Sequence, residues 1–291
     1  MIDEILKERM RDPDYLDLHM VAIAALSETP GPQWYDAFFL KRYWVAIRVL
    51  EQVAPEKVAG FKSAFDTVRP VDGWRPKLMD ELFDPATHQR IKDAVRAIPE
   101  SRFKSYEKET FGRRILHHYP YFVELQAELL DRVSELAGRP LECGYNFLSL
   151  YGTGGKCRPH LDEPVSMYTL DFCIDQSDDW PLYFSEPIQW DAIVPDNEWS
   201  PTQLLNDPKV QFSEYILRPN QALLFNGSSQ WHYRNSITPG GYCHLLFFHY
   251  YPKGAAGLVH PEDWADHFDM PELRPLCDLF SIETAELDAR V

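Results

Sequence analysis

The chain changes texture at Pro140. Before it, apolar residues recur at three- and four-residue spacing. After it they fall in short aromatic and β-branched runs split by Gly, Pro, Asn and Asp: "LECGYNFLSLY", "SMYTLDFCID", "PLYFSEPIQW", "VQFSEYILRP", "QALLFNG" and "YCHLLFFHYYP". Runs of this length and composition read as strands. Helices first and at least six strands afterwards predict an α+β fold. The natural β half of such a chain is a jelly-roll or cupin-like barrel.

Residues 1–76 read as a helical extension, with "MIDEILKERM" and "WYDAFFLKRYWVAIRVLEQV" broken by "SETPGPQ". "RPVDGWRP", Arg69 to Pro76, reads as a linker. Residues 77–255 are the expected core domain. In it "DPATHQRIKDAVRAIP" starts as a capped helix, and "PYFVELQAELLDRVSELAGRP" is a second helix closed by Gly138 and Pro140. A surface insertion is expected between Pro187 and Pro208, and residues 256–291 form a partly helical tail.

The net charge of −16 argues against a general nucleic-acid or anionic-membrane binder, which needs a positive face. The N-terminal segment is charged and carries no apolar signal core, and "MVAIAAL" is too short to cross a bilayer. Five scattered cysteines without a C-x-x-C pair argue against a zinc knuckle or a disulfide framework. A reducing cytoplasm is the expected setting.

The chemistry concentrates in "GGKCRPHLDEPVSMYTLDFCID". Residues i and i+2 of a strand share a face, so His160 and Asp162 project together. One imidazole and one carboxylate are part of the two-His, one-carboxylate set that holds ferrous iron in non-haem oxygenases. The third ligand must be another His. His244 and His249 are five apart on one run and face opposite sides, so at most one can point inward. His232 follows a strand and an Asn-Gly turn in "ALLFNGSSQWHYRNSI" and is the favoured choice. "YGTGGKC" misses the phosphate-loop frame at Leu150 and Cys157, so its glycines read as a turn. His117 and His118 precede a helix and are not taken as ligands. Cys157 is not taken as one either, since a thiolate suits softer metal chemistry. Trp231 reads equally as pocket floor or as core.

From about Lys77 to Pro252 the chain resembles the 2-oxoglutarate/Fe(II) dioxygenase superfamily in its prolyl 4-hydroxylase-like branch. The resemblance rests on "YNFLSLYGTGGKCRPHLD", "PLYFSE", "LRPNQALLFNGSSQWHY" and "GGYCHLLFFHYYP" in that order. It implies a double-stranded β-helix with Fe(II) held by His160, Asp162 and His232. It also implies 2-oxoglutarate as co-substrate, O2 as oxidant, and hydroxylation with release of succinate and CO2. The retained Asp162 favours hydroxylation, desaturation or cyclisation over halogenation, because related halogenases carry a small residue there.

One departure stands out. The family's cation for the far carboxylate of 2-oxoglutarate lies ten to twelve residues after the distal His. Here those positions are Tyr242, Cys243 and His244. A dianion in an acidic protein needs a local cation or several donors. The candidates are Arg234, His244 and Arg158, with Tyr151 and Asn146 as further contacts. This departure keeps open an Fe(II) oxygenase that does not use 2-oxoglutarate. A cupin-like, non-catalytic binding protein is a third reading. The expected partner is a small-molecule or peptidyl substrate, without nucleic acid or membrane, and the N-terminal helices are a candidate homodimer interface.

Overall fold

The structure, a computed structural model, describes residues 4–31, 37–69, 71–190, 193 and 201–290. Among the described residues there are ten strands: β1 (Lys77–Met79), β2 (Arg113–His117), β3 (Leu141–Tyr151), β4 (Cys157–His160), β5 (Tyr168–Gln176), β6 (Leu182–Pro187), β7 (Phe212–Tyr215), β8 (Ala222–Asn226), β9 (Gln230–Arg234) and β10 (Cys243–Pro252). Ten α-helices accompany them among these residues: α1 (Glu4–Arg9), α2 (Pro13–Glu28), α3 (Phe38–Val53), α4 (Val58–Ala64), α5 (Pro85–Ala97), α6 (Pro120–Ala137), α7 (Pro201–Asn206), α8 (Ala256–Val259), α9 (Trp264–His267) and α10 (Arg274–Arg290).

The strands form two antiparallel sheets, ordered β1-β8-β5-β10-β3-β2 and β4-β9-β6-β7. Along the chain, β3, β5, β8 and β10 enter the large sheet, while β4, β6, β7 and β9 enter the small one. The pairs β3–β10, β4–β9, β5–β8 and β6–β7 are therefore nested, each inside the one before. That winding is a jelly roll, a double-stranded β-helix. It is an α+β arrangement in which the two sheets stay separate and do not close into a barrel.

Alternation along β5 shows how the layers pack. Tyr168, Leu170, Phe172 and Ile174 join one apolar cluster with helical residues such as Phe122 and Leu125 of α6. Cys173 points the other way, into a second cluster with Phe184, Leu223, Phe225 and Leu245 between the sheets. β8 divides likewise, with Ala222 and Leu224 in the first cluster and Leu223 and Phe225 in the second. The large sheet is thus buried on both faces, by helices outside and by the small sheet inside.

The helix ends follow their sequence signals. The Asp84 side chain accepts hydrogen bonds from the Ala86 and Thr87 amides (2.9 and 3.0 Å), with Pro85 at the first helical position of α5. α6 opens on Pro120 and ends at Gly138, whose φ of 75° is the left-handed value that glycine adopts without strain.

The N-terminal helices and the C-terminal segment pack on each other. Phe39 and Phe61 meet Trp264 edge-on at 5.7 and 5.5 Å, and Tyr43 meets Trp190 at 5.5 Å. Arg42 pairs with Glu283 at 3.0 Å and Lys57 with Glu272 at 2.6 Å. Within the expected linker, Trp74 is buried against Tyr168 at 5.2 Å, while Pro70 lies outside the described residues. Much of the expected insertion, residues 191, 192 and 194–200, also lies outside them. Trp190 and Ile193 are themselves buried. No helix among the described residues is long and apolar enough to cross a membrane.

Candidate metal centre

β4 and β9 pair antiparallel with His160 directly opposite His232. Asp162 follows β4 by two residues, and its amide donates to the Gly227 carbonyl (2.9 Å) in the turn between β8 and β9. One ligand atom from each of His160, Asp162 and His232 lies within 4.8 Å of the other two. Asp162 Oδ1 is 3.4 Å from His160 Nε2 and 3.5 Å from His232 Nε2.

The hydrogen bonds around the imidazoles say what the cluster can hold. His160 Nδ1 faces the Arg158 carbonyl at 2.9 Å, and His232 Nδ1 faces the Gln230 carbonyl at 3.0 Å. A carbonyl only accepts, so each Nδ1 carries a hydrogen and each neutral ring offers a bare Nε2. Backbone carbonyls fix metal-binding imidazoles in this way. Two Nε2 lone pairs and a carboxylate oxygen then converge with no hydrogen among them. Such a set fits a divalent cation, and its imidazole and carboxylate donors suit iron better than a soft thiophile. A set of three protein ligands would leave further coordination positions of a cation to be filled from the cavity that they line.

Electrostatics agree with a cation-seeking cluster. Burial opposes charge on Asp162, yet the imidazoles of His232 and His160 hold its carboxyl far below the usual range. Burial and the neighbouring His160 push His232 down to about 4. Burial likewise opposes a proton on His160, but Cys157 and Asp162 outweigh it and raise its pKa well above the ordinary value. A second proton on His160 would sit on Nε2, and a metal bound there displaces it.

The ligands line a cavity of about 170 Å³ between the sheets. Of the five co-substrate candidates, Tyr151 and Arg234 line it. Arg234 is two residues past His232 and fully buried. It donates to Asp171 Oδ2 (2.8 Å) and to the Trp180 carbonyl (2.6 Å), and lies over the Trp180 ring. The other three candidates are not at the cavity. Asn146 points to the helical side of β3 and donates to Gln126 Oε1 at 2.7 Å. His244 sits on β10 near Asp175, outside the lining, because five residues of strand separate it from the inward His249. Arg158 is exposed. Trp231 belongs to the apolar cluster on the helical side, so it is core and not pocket floor.

Five polar residues at the cavity, Glu107, Arg113, Thr169, Asp171 and His249, were not assigned a place there from the sequence, His249 having been weighed only as an alternative third ligand. Arg113 donates from Nη1 to the Tyr151 hydroxyl (2.8 Å), pairs through Nε with Glu107, and lies over the rings of Phe111 and Phe147. Asp171 and Thr169 occupy the inward face of β5; Thr169 Oγ1 is 3.3 Å from Asp162 Oδ2. His249, opposite Thr169 across the β5–β10 pairing, is neutral because burial pushes it down to about 4. A signal for three of the five existed. In "YTLDFCID" and "HLLFFHYY" the polar Thr169, Asp171 and His249 interrupt apolar runs at period-two positions, which marks an inward polar face.

No family model matches the chain, and no curated protein matches it. Solved structures do. The chain is similar to HygX from Streptomyces hygroscopicus, solved with nickel, 2-oxoglutarate and hygromycin B bound, at 13% identity and a TM-score of 0.45, over 66% of this chain and 86% of that one. It is similar to a Pseudomonas putida prolyl-4-hydroxylase at 12% identity and a TM-score of 0.45, over 62% of this chain and 93% of the other. It is also similar to SnoK, a non-heme alpha ketoglutarate dependent carbocyclase from nogalamycin biosynthesis, at 11% identity and a TM-score of 0.47, over 62% and 83%. Each is a distant likeness in fold, so the chemistry here has to come from the residues of this chain.

Proposed function

We propose that the chain is a non-haem Fe(II) oxygenase that uses 2-oxoglutarate and acts on a C–H bond of a small molecule or a peptide residue, most simply by hydroxylation. The observation that carries this reading is the convergence of two bare Nε2 lone pairs and one carboxylate oxygen in a buried cavity with an open side. His160, Asp162 and His232 would hold the iron. The bound metal with 2-oxoglutarate and O2 supplies oxidising power, coupling decarboxylation of the co-substrate to oxidation of the substrate, with succinate and CO2 as products.

The chain's own residues provide the setting. Thr169 steadies Asp162 through Oδ2, leaving Oδ1 toward the two imidazoles. Two buried guanidiniums, Arg113 and Arg234, flank the Tyr151 hydroxyl, and this polar end of the cavity would receive the far carboxylate of 2-oxoglutarate. The apolar side chains of Phe111, Leu182 and Phe225 keep water from that end.

A second reading retains the iron and drops 2-oxoglutarate. It is favoured by the fact that both guanidiniums already face buried carboxylates, Glu107 and Asp171. Anaerobic titration of the metal-free protein with Fe(II) and then 2-oxoglutarate separates the two. A weak visible charge-transfer band, lost in His160→Ala and His232→Ala, supports the first reading. Tight iron binding without the band moves the assignment to the second. Absence of stoichiometric iron sinks both.

A further inference from the structure

One wall of the cavity is aromatic. β3 contributes Tyr145 and Phe147, and β10 contributes Phe247 and His249. Phe147 stacks on Phe247 with centroids 4.8 Å apart, and the His249 ring lies 4.2 Å from that of Tyr145. Tyr145 and Phe247 are half-buried, and the neighbouring lining residue Tyr106 is exposed, so this wall runs from the metal centre to the surface.

The two nitrogens of His249 differ. Nδ1 is 3.0 Å from Thr169 Oγ1. The same oxygen is 3.2 Å from the Ser166 carbonyl oxygen and 3.3 Å from Asp162 Oδ2. Both of those groups only accept, and the arrangement that satisfies one of them as well as His249 sends the Thr169 hydrogen to it. The contact with His249 is then satisfied by a hydrogen on Nδ1 donating to Oγ1. Nε2 of the neutral ring is left as a bare acceptor. His249 is only 3% exposed, and Nε2 has no hydrogen-bond partner. A buried acceptor without a donor is unfavourable, and a bound donor relieves it. Asp171 Oδ1, at the same cavity, is also buried without a partner. These two acceptors face the cavity without a donor.

We propose that His249 is a substrate-recognition residue, its Nε2 accepting a hydrogen bond from an O–H or N–H group carried by a planar ring that lies on the Tyr145–Phe147–Phe247 wall. The substrate class is a hydroxylated or N–H-bearing aromatic ring, held beside the triad by stacking on the wall and oriented by one hydrogen bond. Offset stacking and a buried acceptor together select such a ring over a saturated chain. The assignment of this ring as substrate rests on the reading of the triad as the oxidising centre; its binding does not.

The test uses the full chain, with phenol and anisole as probes, which differ in the single donor. Ligand-observed NMR measures their affinities with and without Mn(II) as a redox-quiet occupant of the triad. Phenol is expected to bind at least about tenfold more tightly than anisole, the ratio that about 1.4 kcal/mol produces. His249→Phe keeps a ring on the wall and removes the acceptor, and it should bring the two probes level. Mn(II) should broaden the phenol resonances strongly if the ring lies beside the triad. Equal binding of the probes to the unaltered chain overturns the proposal, as does a phenol preference that survives in His249→Phe. If Mn(II) fails to bind while the phenol preference holds, the metal reading falls and the recognition site stands.

Discussion

Gly227 explains why Asp162 can sit where it does. A Cβ on Gly227 would lie 2.1 Å from Asp162 Oδ2 and 2.9 Å from the Ser166 carbonyl oxygen. The glycine is required for room, because the Asp162 carboxylate packs against that backbone. Gly227→Ala must therefore push the carboxylate away from the two Nε2 atoms. We expect divalent-metal affinity to fall by about 10–100-fold, the loss typical when the groups that orient a ligand are disturbed. Mn(II) binding followed by electron paramagnetic resonance measures it. Gly152→Ala is the control, since nothing lies within 4 Å of the Cβ it would add. Similar affinities in the two variants would mean that Asp162 is not held by this contact. At this scale the convergence of His160, Asp162 and His232 was legible. Period two puts His160 and Asp162 on one face, and the Asn-Gly turn before "SSQWHY" brings a strand back beside them.

The sheets depend on a pair that no local pattern announces. Arg234 of β9 and Asp171 of β5 join the small sheet to the large one at 2.8 Å, with side chains 3% and 0% exposed. Breaking one partner leaves the other charged and buried. Arg234→Leu should cost about 3–5 kcal/mol in denaturant unfolding, while the double variant Arg234→Leu/Asp171→Leu should recover most of that. Both variants should lose the 2-oxoglutarate charge-transfer band if Arg234 belongs to the co-substrate seat. A double variant as unstable as the single one would show that the guanidinium acts through its stacking on Trp180 instead. The pair was hidden in the sequence because the two residues are 63 apart and the register between the sheets is a tertiary fact. Arg113 was hidden for a related reason. "RRILH" has only two apolar residues and no alternation, and β2 exists because it adds to the edge of β3. By contrast, the opposite facing of His244 and His249 follows from five residues of strand, and His249 alone lines the cavity.

At the scale of the whole molecule, three histidines with depressed pKa values and one helical layer bear on stability. His117, His232 and His249 are each pushed down to about 4, burial being the first cause in every case. A histidine with a depressed pKa contributes stability above its unfolded value, and that contribution is lost as pH falls. Between about pH 6.5 and pH 4 the unfolded chain takes up protons that the folded chain refuses, at about 1.4 kcal/mol per pH unit for each. His117 is half-buried, and its share is discounted accordingly. The melting temperature of the metal-free protein should therefore drop steeply over this window, and a flat profile from pH 7 to pH 4.5 would contradict the burial of these rings. The helical layer makes a separate demand. Phe39, Phe61, Phe65 and Trp264 come from segments about 200 residues apart and share one apolar cluster with Leu246, Phe248 and Tyr250 on the outer face of the large sheet. Removing residues 1–76 and 256–291 would expose that face, and an apolar surface of this kind is an association hazard. We expect the excised 77–255 segment to bind a hydrophobic dye and to unfold without a sharp transition, although it carries every residue of the metal centre. A cooperative melt of that segment, with Mn(II) affinity close to that of the full chain, would instead make the helical layer an appendage and leave the jelly roll self-sufficient.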